Sequence, residues 1–312
     1  MSAERDDPVD AACVGETMAL LIPEPPVSGA DAATFRRDIG GAESNVAIHL
    51  ARAGHRVTWH GVLGDDGFGE YVARRLTAEG VAIGGRTNPA RPTGLYLKEL
   101  RSQGTQVRYY REGSAGSTLA EMDAPAILRQ RPRLVHTTGI TAALSESALG
   151  LVTALLAPGD ALRSFDVNYR PALHENTGGE PLLTLARRAD VVFCGLDEAQ
   201  ALWEVDTVDD VRSLIADPEV LVVKQGEHGA TAFRRDQSWH HPAPEVAVVE
   251  PVGAGDAFAA GFLQGLLADE AIPGCLATAS RLAGTVLGTV GDIPAPPAPG
   301  VTGSCHDRAQ AS

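Results

Sequence analysis

Residues 248–262 read VVEPVGAGDAFAAGF and carry the most information in this 312-residue chain. An apolar run leads into a turn that contains Pro251 and two glycines, Gly253 and Gly255. A helical pattern follows, with apolar side chains on one face: Phe258, Phe262, Leu263 and Leu266. Because glycine can adopt backbone angles that are closed to other residues, successive N–H groups of this turn can converge on one point. The positive end of the following helix adds to them, so the stretch predicts an anion-binding site.

Asp256 places a carboxylate beside this ring of donors. One interpretation is phosphoryl transfer, in which the N–H groups of Gly253, Ala254 and Gly255 stabilise the transferred group. Asp256 would then take the proton of the attacking hydroxyl. The structural alternative is an acidic residue that complements the dipole of a helix start. A Walker A loop is excluded because its sequence does not occur, and a Rossmann fingerprint is disfavoured because Phe258 replaces the third glycine.

Composition narrows the class of protein and its partners. The formal net charge of −14 argues against a nucleic-acid partner, although a few arginines can still make one cleft attractive to an anionic substrate. No apolar run of about 18 residues occurs and residues 1–7 are mostly polar, so we expect a soluble, cytoplasmic protein without a membrane partner. The scattered cysteines predict neither disulfides nor a zinc site: Cys13, Cys194, Cys275 and Cys305.

From residue 133 onward, short apolar runs alternate with helical patterns. The apolar runs lie at residues 134–135, 164–167, 190–193 and 220–223, and the helical patterns cover residues 145–156, 181–189 and 197–203. This alternation predicts βαβ units and a mostly parallel sheet with helices on both faces. Ligands of such sheets bind at the carboxyl ends of the strands. That edge is predicted to carry Asn168, Arg170, Glu198, Gly226 and the turn at Gly253.

The N-terminal part of the chain adds a second β layer in this interpretation. The first strand is predicted over Ala11–Ile22, with an interruption at residues 15–17. Residues 15–38 and residues 92–112, which alternate like a β-hairpin around the turn at 101–104, do not fit the parallel sheet and are predicted to form a lid. We expect one domain over residues 11–293, with disordered tails at residues 1–10 and 294–312.

Two motifs resemble the signatures of the PfkB (ribokinase-like) carbohydrate kinases. They are GGAESN at residues 40–45 and PVGAGDAF at residues 251–258, and the similarity runs from about Cys13 to Asp292. The resemblance implies a ribokinase-like, Rossmann-type three-layer α/β/α sandwich with a small β-sheet lid. It also implies ATP with Mg²⁺ as cofactors and phosphorylation of a primary hydroxyl on a sugar.

Within that family the chain is most similar to the 2-keto-3-deoxygluconate kinases. The similarity rests on TGLY at residues 93–96, RYYREGSAGS at 108–117, GIT at 139–141 with ALS at 143–145, DVNYR at 166–170 and Gly291-Asp292. It implies that Asp256 is the base. The implied sugar site comprises Gly40, Gly41, Asn45, Tyr96, Tyr109, Arg111, Arg170, Asp256 and Asp292. The implied nucleotide site comprises Asn168, Arg170, Lys224, Gly226, Gly229, Gly253, Gly255 and Ser280, with Glu198 near the metal.

Physical chemistry supports this substrate but leaves alternatives open. The guanidinium fork of Arg111 suits a sugar-acid carboxylate, whereas a solvated arginine on an exposed strand is the plain alternative. The alternative role of Tyr96 and Tyr109 is packing within the lid, and the alternative for Asp292 is a plain turn residue. The chain also departs from the family pattern. Gly195 stands where Asn is usual near the metal, and three further positions differ: Gln225, Glu250 and Ser280.

The sequence therefore predicts an ATP-dependent kinase for the terminal hydroxyl of a keto-deoxy sugar acid, with 2-keto-3-deoxygluconate giving its 6-phosphate as the favoured reaction. The resemblance implies a homodimer or a higher homo-oligomer that pairs through the lid sheets, and an exposed β layer also needs covering. One alternative is a kinase of the same family for a neutral sugar or nucleoside, such as fructose or ribose. The other is a non-catalytic protein that binds a sugar or a nucleotide.

Overall fold

The computed structural model describes residues 9–101, 104–175, 178–289 and 291–293. The predicted C-terminal tail, most of the predicted N-terminal tail and residues 102–103 of the predicted hairpin turn lie outside these ranges. The strands are β1 (Ala11–Val14), β2 (Met18–Pro23), β3 (Phe35–Gly40), β4 (Val57–His60), β5 (Val62–Gly64), β6 (Ala82–Ile83), β7 (Arg86–Asn88), β8 (Leu95–Arg101), β9 (Gly104–Tyr110), β10 (Leu134–Thr138), β11 (Leu162–Asp166), β12 (Val191–Gly195), β13 (Val220–Lys224), β14 (Ala230–Arg234) and β15 (Gln237–His241).

The helices cover both faces of the sheet, and those predicted at residues 145–156, 181–189 and 197–203 begin and end within three residues of the prediction. They are α1 (Ala42–Arg52), α2 (Gly67–Ala78), α3 (Ala124–Leu128), α4 (Gly139–Ala142), α5 (Glu146–Leu155), α6 (Pro171–His174), α7 (Glu180–Ala186), α8 (Leu196–Trp203), α9 (Val208–Leu214), α10 (Ala254–Leu267) and α11 (Ile272–Leu287). Hydrogen bonds from nearby side chains help to fix where helices begin. The Asp66 carboxylate, for example, accepts hydrogen bonds from the Phe68 and Gly69 N–H groups and thereby caps α2. In the described ranges, no helix has the length and apolar character needed to cross a membrane.

A nine-stranded sheet forms the centre, in the order β15-β14-β13-β12-β11-β10-β1-β4-β6. The strands from β13 to β6 in this order pair in parallel. Strands β10 and β12 are buried along their whole length, as expected of parallel strands covered on both faces. Helices α1, α10 and α11 pack on one face, where Phe262 meets Phe193 edge to face. Helices α5, α7, α8 and α9 cover the other. The predicted three-layer α/β/α fold is confirmed.

The antiparallel hairpin of β14 and β15 at one edge of this sheet was not predicted. Its turn includes Arg235, which adopts a left-handed φ of 54°. Hairpin turns of this kind are normally marked by glycine or asparagine, so the sequence lacks the usual signal. The hairpin forms this edge of the sheet, beside the residues of the predicted nucleotide site described below.

A second, four-stranded sheet has the order β3-β2-β8-β9. The expectation of one interrupted strand over Ala11–Ile22 was wrong, because the break at residues 15–17 carries the chain from β1 in the large sheet to β2 in the small one. One face of the small sheet is apolar, with Met18, Leu20, Ile22 and Tyr96 buried together. This sheet supplies the residues of the predicted lid.

Candidate active site

The turn before α10 is shaped for an anion. Gly253 adopts φ 86° and ψ −14°, and a side-chain Cβ there would lie 2.5 Å from the Asp292 carbonyl oxygen, so glycine is required on both counts. The N–H groups of Gly255 and Asp256 donate to no group among the residues that the structure describes. The N–H of Ala254, by contrast, donates to the Pro251 carbonyl oxygen at 3.2 Å. The N–H of Gly253 likewise has no acceptor among the described residues. The free donors at the helix start are therefore those of Gly253, Gly255 and Asp256, whereas the predicted donor Ala254 is engaged.

Asp256 lies in the first turn of α10, between two amide side chains. Its Oδ2 accepts a hydrogen bond from Asn45 Nδ2 at 2.8 Å, and its Oδ1 accepts one from Asn168 Nδ2 at 3.4 Å. Burial raises the pKa of Asp256 to about 7, although the Asn45 hydrogen bond works in the opposite direction. A carboxylate with this pKa is suited to accept a proton near neutral pH. Asn45 and Asn168, predicted as sugar and nucleotide residues, both contact the predicted base.

The small sheet brings the aromatic and cationic sugar-site residues together. The rings of Tyr96 and Tyr109 stack with centroids 5.7 Å apart, and the Arg111 guanidinium carbon lies 5.7 Å from the Tyr109 ring centroid. The Tyr96 hydroxyl donates to Asp292 Oδ2 at 2.8 Å. Gly40 allows this arrangement, because a Cβ there would lie 1.8 Å from the Tyr96 hydroxyl oxygen. Asp292 is thus tied to the small sheet and is more than a turn residue.

Arg111 is paired with a carboxylate that the sequence interpretation overlooked. Its side chain is only 9% exposed and forms an ion pair with Glu16 Oε2, so it is not a solvated arginine. Glu16 Oε1 also accepts a hydrogen bond from Ser114. No sequence signal marked Glu16, because it stands in the break between β1 and β2, where nothing indicated which side chains face the cleft.

Charged residues also converge at the ends of β11, β12 and β13. Lys224 Nζ donates to both oxygens of Asp166, at 2.8 and 3.0 Å. Burial opposes the ammonium form, but the carboxylates of Asp166 and Glu198 keep the pKa of Lys224 above its usual value. The Arg170 Nη1 atom lies 3.8 Å from Glu198 Oε1. The chain thus balances two carboxylates with two cations at this edge.

Glu198 is oriented by backbone donors. Its Oε2 accepts from the Gly195 N–H at 2.7 Å and its Oε1 from the Tyr169 N–H at 3.1 Å. Burial raises the pKa of Glu198. The replacement of the family's Asn by Gly195 therefore leaves this carboxylate held in place. Within the described ranges no three His, Cys, Asp or Glu side chains cluster as a ready metal site, so a metal here would draw most of its ligands from phosphate and water.

Two cavities, of about 540 and 570 Å³, meet at the turn and share Lys224, Gly226, Pro251 and Gly255. The first is lined by every predicted sugar residue: Gly40, Gly41, Asn45, Tyr96, Tyr109, Arg111, Arg170, Asp256 and Asp292. Asn168 and Glu198 also line it. The second is more apolar and is lined by Gly229, Phe258, Ser280, Ala283 and Leu287, among others. A polar cavity and an apolar one therefore join beside the predicted base.

Comparison with known proteins gives the same family. Residues 9–299 match the profile of the pfkB family carbohydrate kinases. The chain is 34% identical to a 2-dehydro-3-deoxygluconokinase of Bacillus subtilis over 83% of each chain, and 33% identical to fructokinase-1 of Oryza sativa over 78% of each. It is also similar to the crystal structure of a PfkB protein from Polaromonas sp. JS666, with TM-score 0.80 and 30% identity over 88% of this chain and 94% of that one. The chain belongs to the PfkB family and is an ATP-dependent sugar kinase, as its two signature motifs predicted.

Proposed function

We propose that this kinase phosphorylates the terminal hydroxyl of a keto-deoxy sugar acid, with 2-keto-3-deoxygluconate (2-dehydro-3-deoxygluconate) giving its 6-phosphate. The observation that carries the proposal is Arg111, a largely buried cation in the polar cavity that also contains Asp256. Its Nε atom is buried and has no hydrogen-bond partner among the described residues. A sugar acid has a carboxylate at one end for Arg111 and a hydroxyl at the other for Asp256. The name of the Bacillus subtilis relative supports the same substrate.

The chemistry follows from the residues at the turn. Asp256 accepts the proton of the terminal hydroxyl as the oxygen attacks the γ-phosphorus of ATP. The N–H groups of Gly255 and Asp256 donate to the oxygens of the transferred group, and the α10 dipole favours the negative charge there. Asn45 and Asn168 hold the Asp256 carboxylate in place. The small sheet, acting as a lid over the sugar, would exclude water and so prevent hydrolysis of ATP.

We assign ATP to the second cavity, where Phe258, Ala283 and Leu287 would contact its base and Lys224 would hold its phosphates. Ser280 donates to the Pro242 carbonyl oxygen at 3.3 Å and forms part of this wall. Glu198 would hold Mg²⁺ through water, since Mg²⁺ usually combines one or two carboxylates with phosphate oxygens and water. Bound there, Mg²⁺ would neutralise charge on the phosphates.

A neutral sugar is the second candidate substrate. The Glu16 carboxylate already offsets the charge of Arg111, so a substrate without a carboxylate leaves this pair intact. Fructokinase-1 of Oryza sativa matches the chain at nearly the same identity as the sugar-acid kinase. The two candidates differ in what Arg111 does during the reaction.

A coupled ADP-release assay with MgATP tests the choice. The substrates would be 2-keto-3-deoxygluconate, 2-keto-3-deoxygalactonate, 2-ketogluconate, fructose and ribose. We expect the parent to prefer the sugar acids. Arg111→Ala should lower kcat/KM for them by about 10- to 100-fold, as expected for one charge-assisted contact, and change the neutral sugars far less. The matched control is Arg108→Ala, which removes an exposed arginine on β9 three residues before Arg111. Preference for fructose or ribose, unaffected by Arg111→Ala, would reject the sugar acid and retain the kinase.

We also propose a homodimer that pairs through the small sheets. The edge strands of the small sheet, β3 and β9, carry exposed aromatic side chains: Phe35 is 38% exposed and Tyr110 is 60% exposed. A β layer with open edges and exposed aromatics is normally covered by a partner. Light scattering after size-exclusion chromatography should give twice the chain mass, and Tyr110→Arg should reduce it to one. A parent of one chain mass at micromolar concentration would reject this arrangement.

A further inference from the structure

Lysine is rare in this chain, and both lysines lie beside the active-site turn. The 26 basic residues comprise 24 arginines and only two lysines, Lys98 and Lys224. Each ammonium group contacts carboxylates: Lys224 contacts Asp166, and Lys98 contacts Glu250 and Asp292. The role of Lys98 is not explained by the reaction described above.

Lys98 lies on β8, two residues after Tyr96, and its side chain is 1% exposed. Its Nζ lies 2.8 Å from Glu250 Oε2 and 2.8 Å from Asp292 Oδ1. Glu250 is fully buried and Asp292 nearly so. A compact ammonium group can contact two carboxylates at such short range, whereas a planar guanidinium is larger and forked. The cluster thus contains one cation between two buried anions.

These three residues join segments that are distant in sequence. Glu250 opens the turn that leads to Gly253, and its Oε2 also accepts from the Gly291 N–H at 3.3 Å. The Asp292 backbone lies against Gly253, where an added Cβ would lie 2.5 Å from the Asp292 carbonyl oxygen. Lys98 therefore connects the small sheet to both chain segments that define the position of the anion-binding turn.

We propose that Lys98 is a positioning residue for phosphoryl transfer. Its ammonium group holds the Glu250–Gly253 turn and the Gly291–Asp292 segment against β8, and so places the Gly255 and Asp256 N–H groups and the Asp256 carboxylate. The inference rests on the kinase activity and not on which sugar is used. Lys98 does not line the sugar cavity, whereas Tyr96 and Asp292, which are hydrogen-bonded to each other, both line it.

The test must separate positioning from charge balance. Lys98→Met alone leaves two buried carboxylates without a cation, which destabilises the fold. The informative variant is Lys98→Met with Glu250→Gln, because it removes one charge of each sign and keeps an acceptor for the Gly291 N–H. We expect kcat to fall by about 30- to 100-fold, as expected for a small displacement of catalytic groups, while KM for sugar and ATP changes less than about threefold. Calorimetric titration with the sugar and a non-hydrolysable ATP analogue should still give one site per chain.

The matched control is Arg74→Met with Glu70→Gln. This exposed ion pair on α2 has a 2.9 Å contact and neither residue lines the two cavities, so its removal should leave kcat unchanged. Two results would overturn the proposal. One is a kcat of the Lys98→Met/Glu250→Gln variant within threefold of the parent. The other is a kcat loss that merely equals a loss of binding stoichiometry, which would show that Lys98 only supports folding.

Discussion

The acidity of Asp256 is set by its surroundings, and this has consequences at the level of one residue. The carboxylate faces two amide donors and lies at a helix start, yet burial dominates and raises its pKa to about 7. The residue therefore changes charge in the range where the enzyme would work. This property allows two tests that differ in what they measure.

Asp256→Asn should remove the proton acceptor while keeping the shape of the side chain. We expect kcat to fall by at least about 10³-fold, because proton transfer in the transition state is lost. Sugar binding should remain within a few-fold of the parent, since the sugar cavity keeps its other lining residues. A coupled assay and calorimetric titration measure the two quantities. Substantial turnover by this variant would remove Asp256 from the mechanism.

The pH dependence of kcat/KM follows from the same residue. Only the ionised carboxylate accepts a proton, so kcat/KM should rise with pH, reach half its maximum near the pKa of about 7 and level off above it. Stability should change in the opposite sense. A carboxyl whose pKa is raised by folding contributes a loss of stability as pH rises from about 4 to 7, and the loss is constant above that. Asp256→Asn should thus raise the Tm relative to the parent at pH 8, and the gap should close at pH 4. A flat kcat/KM between pH 6 and 8 would contradict this assignment.

Residue-level prediction from the sequence was good where a motif fixed the residue type. Asp256, Gly253 and Gly41 stood in signature motifs, and all line the same cavity. Lys98 and Glu16 were not found, because their importance depends on contacts across more than 90 residues of chain, with Glu250 and Arg111 respectively. Side chains alternate between the two faces of a strand, so Lys98 lies on the same face of β8 as Tyr96. This was the one sequence signal that could have pointed to Lys98.

The turn before α10 acts as one element in which backbone shape and chemistry are linked. Gly253→Ala adds a Cβ at a left-handed φ and within 2.5 Å of the Asp292 carbonyl oxygen. We expect a loss of about 1–3 kcal/mol in unfolding free energy from the strain. The turn should also shift, lowering kcat by about 100-fold. Denaturant titration and the coupled assay measure these effects. Gly150→Ala, where a Cβ meets no atom within 4 Å, serves as the control.

Among the elements, periodicity identified the parallel strands β10 to β13 and the helices α5, α7 and α8, with ends shifted by up to three residues. The sequence failed where an element depends on distant pairing. Strand β2 joins the small sheet because it pairs with β3 and β8, and local hydrophobicity could not separate it from β1. The β14–β15 hairpin failed for a different reason, the absence of a glycine or asparagine in its turn.

On the scale of the whole molecule, the fold joins two cavities at one turn, so ligands should stabilise it from both sides. A ligand that binds only the folded chain adds about 2.7 kcal/mol to the unfolding free energy at 100 times its Kd. For a chain of this size we expect a rise in Tm of about 5 °C for the sugar acid and for a non-hydrolysable ATP analogue with Mg²⁺. Differential scanning fluorimetry measures both shifts. The absence of a nucleotide shift would argue against ATP in the apolar cavity.

The scarcity of lysine also gives the molecule a built-in reporter of unfolding. A protease that cuts only after lysine has two sites in the entire chain, and both lie in paired side chains within the fold. The native protein should therefore resist such a protease, whereas the unfolded chain should yield three fragments, residues 1–98, 99–224 and 225–312. The rate of cleavage would then follow the population of opened molecules rather than fraying at the surface. Substrates that close the cleft should slow it, which makes digestion a direct measure of how far ligand binding tightens the enzyme.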